Sequence, residues 1–198
     1  MLFRSKQKTA YEIVPCDWSS DVCSSDLAAI SEANTISEIA AVISERLERG
    51  GKIIAFGNGG SATDANDLVS DCVEPPPDFG TIPAVSLSAE SANITAVAND
   101  IGTEAIFARQ LIAHAGPEDV AVGISTSGGS ANILATLAEA RKRRLLTVGI
   151  VGYDGGRIVA ERLADHAVVV RSDYIPRIQE VQASIYHVLR GLVARREA

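Results

Sequence analysis

The chain has 198 residues, enough for one domain with a substantial core, and its 46% hydrophobic and 22% charged residues are the balance of a globular protein rather than a disordered one. The formal net charge is −7 and the longest basic run is Arg141 to Arg144, which excludes the basic footprint of direct nucleic-acid binding. No apolar stretch approaches the ~18–20 residues of a membrane span and the first residues lack the apolar core of a secretory signal, so no membrane partner and a cytoplasmic location are expected.

Residues 1–27 differ in character from the rest. They have no amphipathic period, and they hold Cys16 and Cys23. KQKTAYEI and CDWSSDVCSSDL resemble in-frame translations of an indexed sequencing-library adapter and its adjoining primer site. This leader is expected to pack loosely and is set aside from fold reasoning. Its cysteine pair is therefore read neither as a metal site nor as a disulfide. Cys72 remains, and a single cysteine suits a reducing compartment. The domain proper is expected over residues 28–198.

A helix is expected from Thr35, where Thr35-Ile-Ser-Glu38 fits a capping box and Ile36, Ile39, Ala40, Ile43 and Leu47 form an apolar face. Gly50-Gly51 ends it. Five short apolar runs follow: Ile53–Phe56, Ala84–Leu87, Val120–Ile124, Thr147–Val151 and Ala167–Val170. They are rich in Val and Ile and mostly lack polar alternation, as strands buried on both faces do. Helical stretches lie between and after them, clearest at Glu104–His114, Ala131–Arg143, Arg157–Leu163 and about Pro176 to Arg195. The segment from Glu74 to Gly80 reads as a surface loop. Strands alternating with helices imply right-handed βαβ units. The fold class is therefore α/β, with a five-stranded parallel, doubly wound, flavodoxin-like sheet flanked by helices.

Two loops carry candidate chemistry. The first strand runs into Gly57-Asn58-Gly59-Gly60-Ser61 and then a helix. The glycines permit a tight turn and close approach of a ligand, and Ser61 is a candidate helix cap; a bare turn remains the alternative. The third strand runs into Ser125-Thr126-Ser127-Gly128-Gly129-Ser130, again before a helix. One cap explains one hydroxyl, not four. A phosphate cradle at the carboxyl edge of the sheet explains them together. The loop lacks the Gly-Lys-Ser/Thr ending of a Walker motif.

GNGGSATDA, GISTSGGSAN and RIQEVQASIYH occur in that order and together resemble the sugar isomerase (SIS) domain, and within it the phosphoheptose isomerase group. The resemblance covers Gly51 to Leu192. It implies a phosphorylated sugar as partner, held by Ser125, Thr126, Ser127 and Ser130. Asn58, Gly59, Gly60, Ser61, Asp100 and Gln179 would complete the substrate site. It also implies a homotetramer built through the terminal helices, with active sites at subunit interfaces. No cofactor is required by this reading.

An aldose–ketose isomerase moves a proton between adjacent carbons through an enediol and needs a base and an acid. By resemblance the acid is His187, and the base position falls on Asp71, where the family carries glutamate. Gln179 and His187 are eight residues apart, about two helical turns, and are expected to serve one neighbourhood. Asp67 sits where some relatives carry a zinc-binding histidine. Asp67, Asp71, Gln179 and His187 are therefore candidate ligands for zinc or another divalent metal. Asp64, Asp67 and Asp71 fall on one helix face, and a solvated acidic face is their alternative reading. The expected activity is interconversion of sedoheptulose 7-phosphate with D-glycero-D-manno-heptose 7-phosphate, or of a related ketose phosphate. The alternative is a non-catalytic SIS module that binds a phosphosugar or a protein as a scaffold or regulator.

Overall fold

A computed structural model describes residues 32–77 and 79–193. The expectation for the leader, residues 1–27, lies outside the described residues. In chain order the elements are α1 (Ala33–Glu48), β1 (Ile53–Gly57), α2 (Gly60–Val73), β2 (Ala84–Ser86), α3 (Ser91–Asp100), a 3-10 turn (Thr103–Ala105) and α4 (Ile106–His114). Then follow β3 (Val120–Ser125), α5 (Ala131–Lys142), β4 (Leu146–Gly152), α6 (Gly156–Ala160), β5 (His166–Val170) and α7 (Ile175–Val193). All five predicted strands are present, each within a residue of its expected ends.

The strands pair in parallel in the order β2-β1-β3-β4-β5. Successive strand residues point to opposite faces and so feed two separate cores. Ile53 and Ala55 join Val120, Val122, Ile124, Val148 and Ile150 under α1, α2 and α7. Ile54 and Phe56 join Ala121 and Val151 under α4, α5 and α6. Burial on both faces is why these strands read as continuous apolar runs rather than as alternating ones.

The chain winds from β1 out to β2 and then returns to place β3 on the other side of β1. The strand order reverses between β1 and β3, where Gly57 pairs with Ile124. The loops leaving these two strands open side by side at the carboxyl edge, the ligand-binding position of open α/β sheets.

Three local expectations are corrected. Helix α1 begins at Ala33, its first bond running from Ile36 N–H to the Glu32 carbonyl at 2.9 Å, so Thr35 lies inside the helix and the capping box does not form. Burial of Ile36, Ile39, Ala40 and Ile43 sets the register of this helix, and its exposed start is free to extend beyond the cap signal. Helix α3 was not anticipated, because none of its residues is buried and it carries no clear apolar stripe. Helix α6 closes at Ala160, earlier than expected, and Arg162 turns left-handed at φ 51° beyond it. Among the described residues no helix is long and apolar enough to cross a membrane.

Candidate active site

The first loop is shaped by three glycines, each for a separate reason. A Cβ at Gly57 would strike the Ser61 carbonyl. Gly59 adopts φ 55°, a conformation that side chains disfavour. A Cβ at Gly60 would collide with the side-chain amide of Gln179, so that amide lies over the loop only because residue 60 is glycine. Gly59 occupies the cap position of α2, and Ser61 lies inside the first turn at 4% exposure. Ser61 is therefore not the helix cap, because the glycine turn brings the helix start two residues earlier. Ser88, which sequence reasoning passed over, braces the end of β1. Its hydroxyl accepts from Gly57 N–H at 3.1 Å and donates to the Gly57 carbonyl at 3.0 Å.

In the second loop the hydroxyls divide their work. The buried Ser125 hydroxyl accepts from Gly128 N–H at 3.1 Å, and the Ser127 hydroxyl accepts from Gly129 N–H at 3.3 Å. Gly128 sits at φ 59° with the Gly155–Gly156 backbone directly against it, and its carbonyl receives Ile158 N–H at 3.1 Å. Ser130 holds the cap position of α5 but makes no side-chain cap bond, so its hydroxyl is not spent on the helix start, whose only side-chain cap-type bond among the described residues is Ile133 N–H to Asn132 Oδ1 at 2.9 Å. Ser127 also rims an open groove of about 700 Å³ with Tyr153, Asp154, Arg171, Ser172 and Asp173.

The two loops are joined. The Asn58 and Asn132 side chains exchange hydrogen bonds of 2.8 and 2.9 Å. Asn132 lay within the GISTSGGSAN motif but was given no role there.

Helices α2 and α7 pack together, and their seam holds the acid–base candidates. Asp71 Oδ2 lies 3.2 Å from His187 Nε2. The other ring nitrogen, Nδ1, is 2.6 Å from the Ala183 carbonyl, and Tyr186 stacks on the imidazole with centroids 4.5 Å apart. Arg190 Nε donates to the Asp71 backbone carbonyl at 3.0 Å, which pins the helix turn that carries the carboxylate.

Burial, together with the Asp67 charge, pushes the Asp64 carboxyl up to about 6. Burial first, and then the charges of Asp64, Asp67 and Asp71, push the Tyr186 hydroxyl up to about 12.

The expected residues do not gather at one point. Gln179 lies against Gly60 near the start of α2, whereas His187 meets Asp71 near its end, about 12 Å further along α7. Asp100 ends α3, on the opposite layer of the sheet, and its side chain bonds to Asn99 at 2.8 Å. Among the described residues no three His, Cys, Asp or Glu side chains are gathered for a metal, so Asp67 does not complete a ligand set with Asp71 and His187.

A sequence model of the SIS domain matches residues 22–152. The chain belongs to the SIS-domain family. Within it the similarity is to phosphoheptose isomerases, and the chain belongs to that group. It is 45% identical over 166 residues to the phosphoheptose isomerase of Solidesulfovibrio magneticus, covering 81% of this chain and 78% of that protein. It is 44% identical over 150 residues to that of Nitratiruptor sp., covering 75% and 79%. Among solved structures, the phosphoheptose isomerase of Francisella tularensis superposes with a TM-score of 0.81 at 32% identity, over 90% of this chain and 96% of that one. This SIS domain is thus matched over most of its length by that fold.

Proposed function

We propose that this SIS domain is an aldose–ketose isomerase of phosphosugars, acting between sedoheptulose 7-phosphate and D-glycero-D-manno-heptose 7-phosphate or on a related ketose phosphate. The observation that carries this reading is the Asp71–His187 pair at 3.2 Å, lying on the α2–α7 seam whose other end is the Gly57–Ser61 loop. The Ser125–Ser130 loop and the α5 N-terminus hold the phosphate. Asn58 and Gln179 hold hydroxyls. Asp71 takes the proton from the carbon beside the carbonyl, and His187 serves the oxygens as the enediol forms and collapses.

Asp100 lies across the sheet from Asp71 in one chain, and α3 buries none of its residues. Val188 leaves an apolar side chain half-exposed on α7. A homotetramer with shared sites accounts for all three, and sedimentation at micromolar concentration tests it. The buried reduced Cys72 fits a cytoplasmic location.

The functional test is solvent-proton exchange in deuterated water with a panel of ketose phosphates. Deuterium uptake into sedoheptulose 7-phosphate supports the reading. No uptake from any ketose phosphate, with binding intact, would leave the non-catalytic scaffold.

A further inference from the structure

The amide pair between the loops does more than join them. Asn132 Oδ1 accepts the backbone N–H of Ile133, in the first turn of α5, at 2.9 Å. That N–H cannot face an NH2 group, so the Asn132 amide has one orientation. Its oxygen also accepts from Asn58 Nδ2 at 2.8 Å, and its nitrogen donates to Asn58 Oδ1 at 2.9 Å. A flipped Asn58 would set NH2 against NH2 and oxygen against oxygen. The start of α5 therefore dictates, through Asn132, which way the Asn58 amide faces.

We propose that Asn132 is a positioning residue that orients Asn58 for the sugar, an inference that rests on the phosphosugar reading above. An amide has two N–H donors and two lone pairs. Inside the pair Asn58 keeps one donor and one acceptor. Asn132 keeps one donor, since both lone pairs of its oxygen are taken. The pair thus offers two donors and one acceptor, beside the phosphate loop, where β1 and β3 are neighbours. Sugar hydroxyls, which both donate and accept, match that set. Asn58 is exposed and Asn132 half-buried, so their bonds compete with water and add little to folding. Their consequence is orientation: the unpaired Asn58 amide would rotate freely and present the wrong group half the time.

Because Asn132 acts through Asn58, the two must be coupled. The test is a double-mutant cycle on affinity for sedoheptulose 7-phosphate, measured by calorimetry on wild type, Asn58→Ala, Asn132→Ala and the double variant. Each single change is expected to weaken binding about tenfold, and the double to bind no worse than Asn58→Ala alone. Melting temperatures should stay together, since Asn132 is not the α5 cap. Asn132→Ala with unchanged affinity overturns the inference. So does a loss of the same factor with and without Asn58, which marks a structural role at the start of α5. If wild type itself binds no phosphosugar, the phosphate-loop reading falls first and takes this inference with it.

Discussion

The Asp71 carboxylate meets His187 Nε2 at 3.2 Å while the Ala183 carbonyl occupies Nδ1 at 2.6 Å, so both ring nitrogens face oxygen. A neutral imidazole has one donor nitrogen and one acceptor. With Nδ1 donating to Ala183, the Nε2 contact needs a proton, carried by the ring or by the carboxyl. Aspartate and histidine are thus held in a geometry in which one proton lies between them, the arrangement that acid–base chemistry at two adjacent carbons uses.

Removing either partner should therefore stop turnover and spare binding. Asp71→Asn and His187→Ala are expected to lower kcat by at least about 100-fold, the lower range for a lost general acid or base, with phosphosugar affinity nearly unchanged. Asp71→Glu reports how the site has adjusted to the shorter side chain. Because Asp71 already reaches His187, the longer carboxylate should lower kcat. Steady-state kinetics beside calorimetry separate these effects; full activity in Asp71→Asn would remove it as the base.

The serines of the second loop should separate by role. Ser127 is exposed at the groove, so Ser127→Ala should weaken ketose-phosphate binding about ten- to hundredfold with little change in melting temperature. Ser125 is buried and bonded to Gly128, so Ser125→Ala should lower the melting temperature as well. Equal melting temperatures for the two variants would contradict this division.

Gly60 tests the contact between α7 and the first loop. Alanine suits a helix better than glycine, so Gly60→Ala should not destabilise the fold much. Its methyl would displace the Gln179 amide, and catalytic efficiency should fall to the level of Gln179→Ala. An active Gly60→Ala variant alongside an inactive Gln179→Ala variant would show that Gln179 works from another position.

Asp64 makes stability depend on pH in a stated direction. Burial, and then the Asp67 charge, push its carboxyl up to about 6 in the fold against 3.8 ordinarily, so the folded state holds the extra proton between those values. Stability due to this group therefore falls as pH rises from about 4 to about 6 and stays lower above it. Asp64→Asn should raise the melting temperature at pH 8 and leave it nearly unchanged at pH 3.5. With the half-buried side chain screened by solvent, the gain is about 1 kcal/mol. Thermal melts across that range would refute the assignment if the gain were the same at both ends.

Much of the fold was legible because its signals are local or short-ranged. The run from Val120 to Ser125 is buried at every position, and no amphipathic alternative fits it. The start of α1 and the whole of α3 were less legible, since exposed helix surface carries no periodic apolar signal. Gln179 and His187 share a helix, yet they serve opposite ends of the seam, because α2 runs beside α7 and meets each at a different turn.

By itself the sequence determined the strands, the two glycine- and serine-rich loops and the family to which they belong. These follow from residue type and near spacing: β-branched apolar runs form buried strands, and glycine takes the turns that other residues resist. Tertiary structure alone decided that Asp71 meets His187, that Gln179 lies on Gly60 and that Asn132 holds Asn58. Each pair is far apart in the chain, and each meets because the strand order reverses between β1 and β3 and α7 returns across α2. Contacts of that kind depend on which helices share a layer, and no local pattern of side chains encodes it.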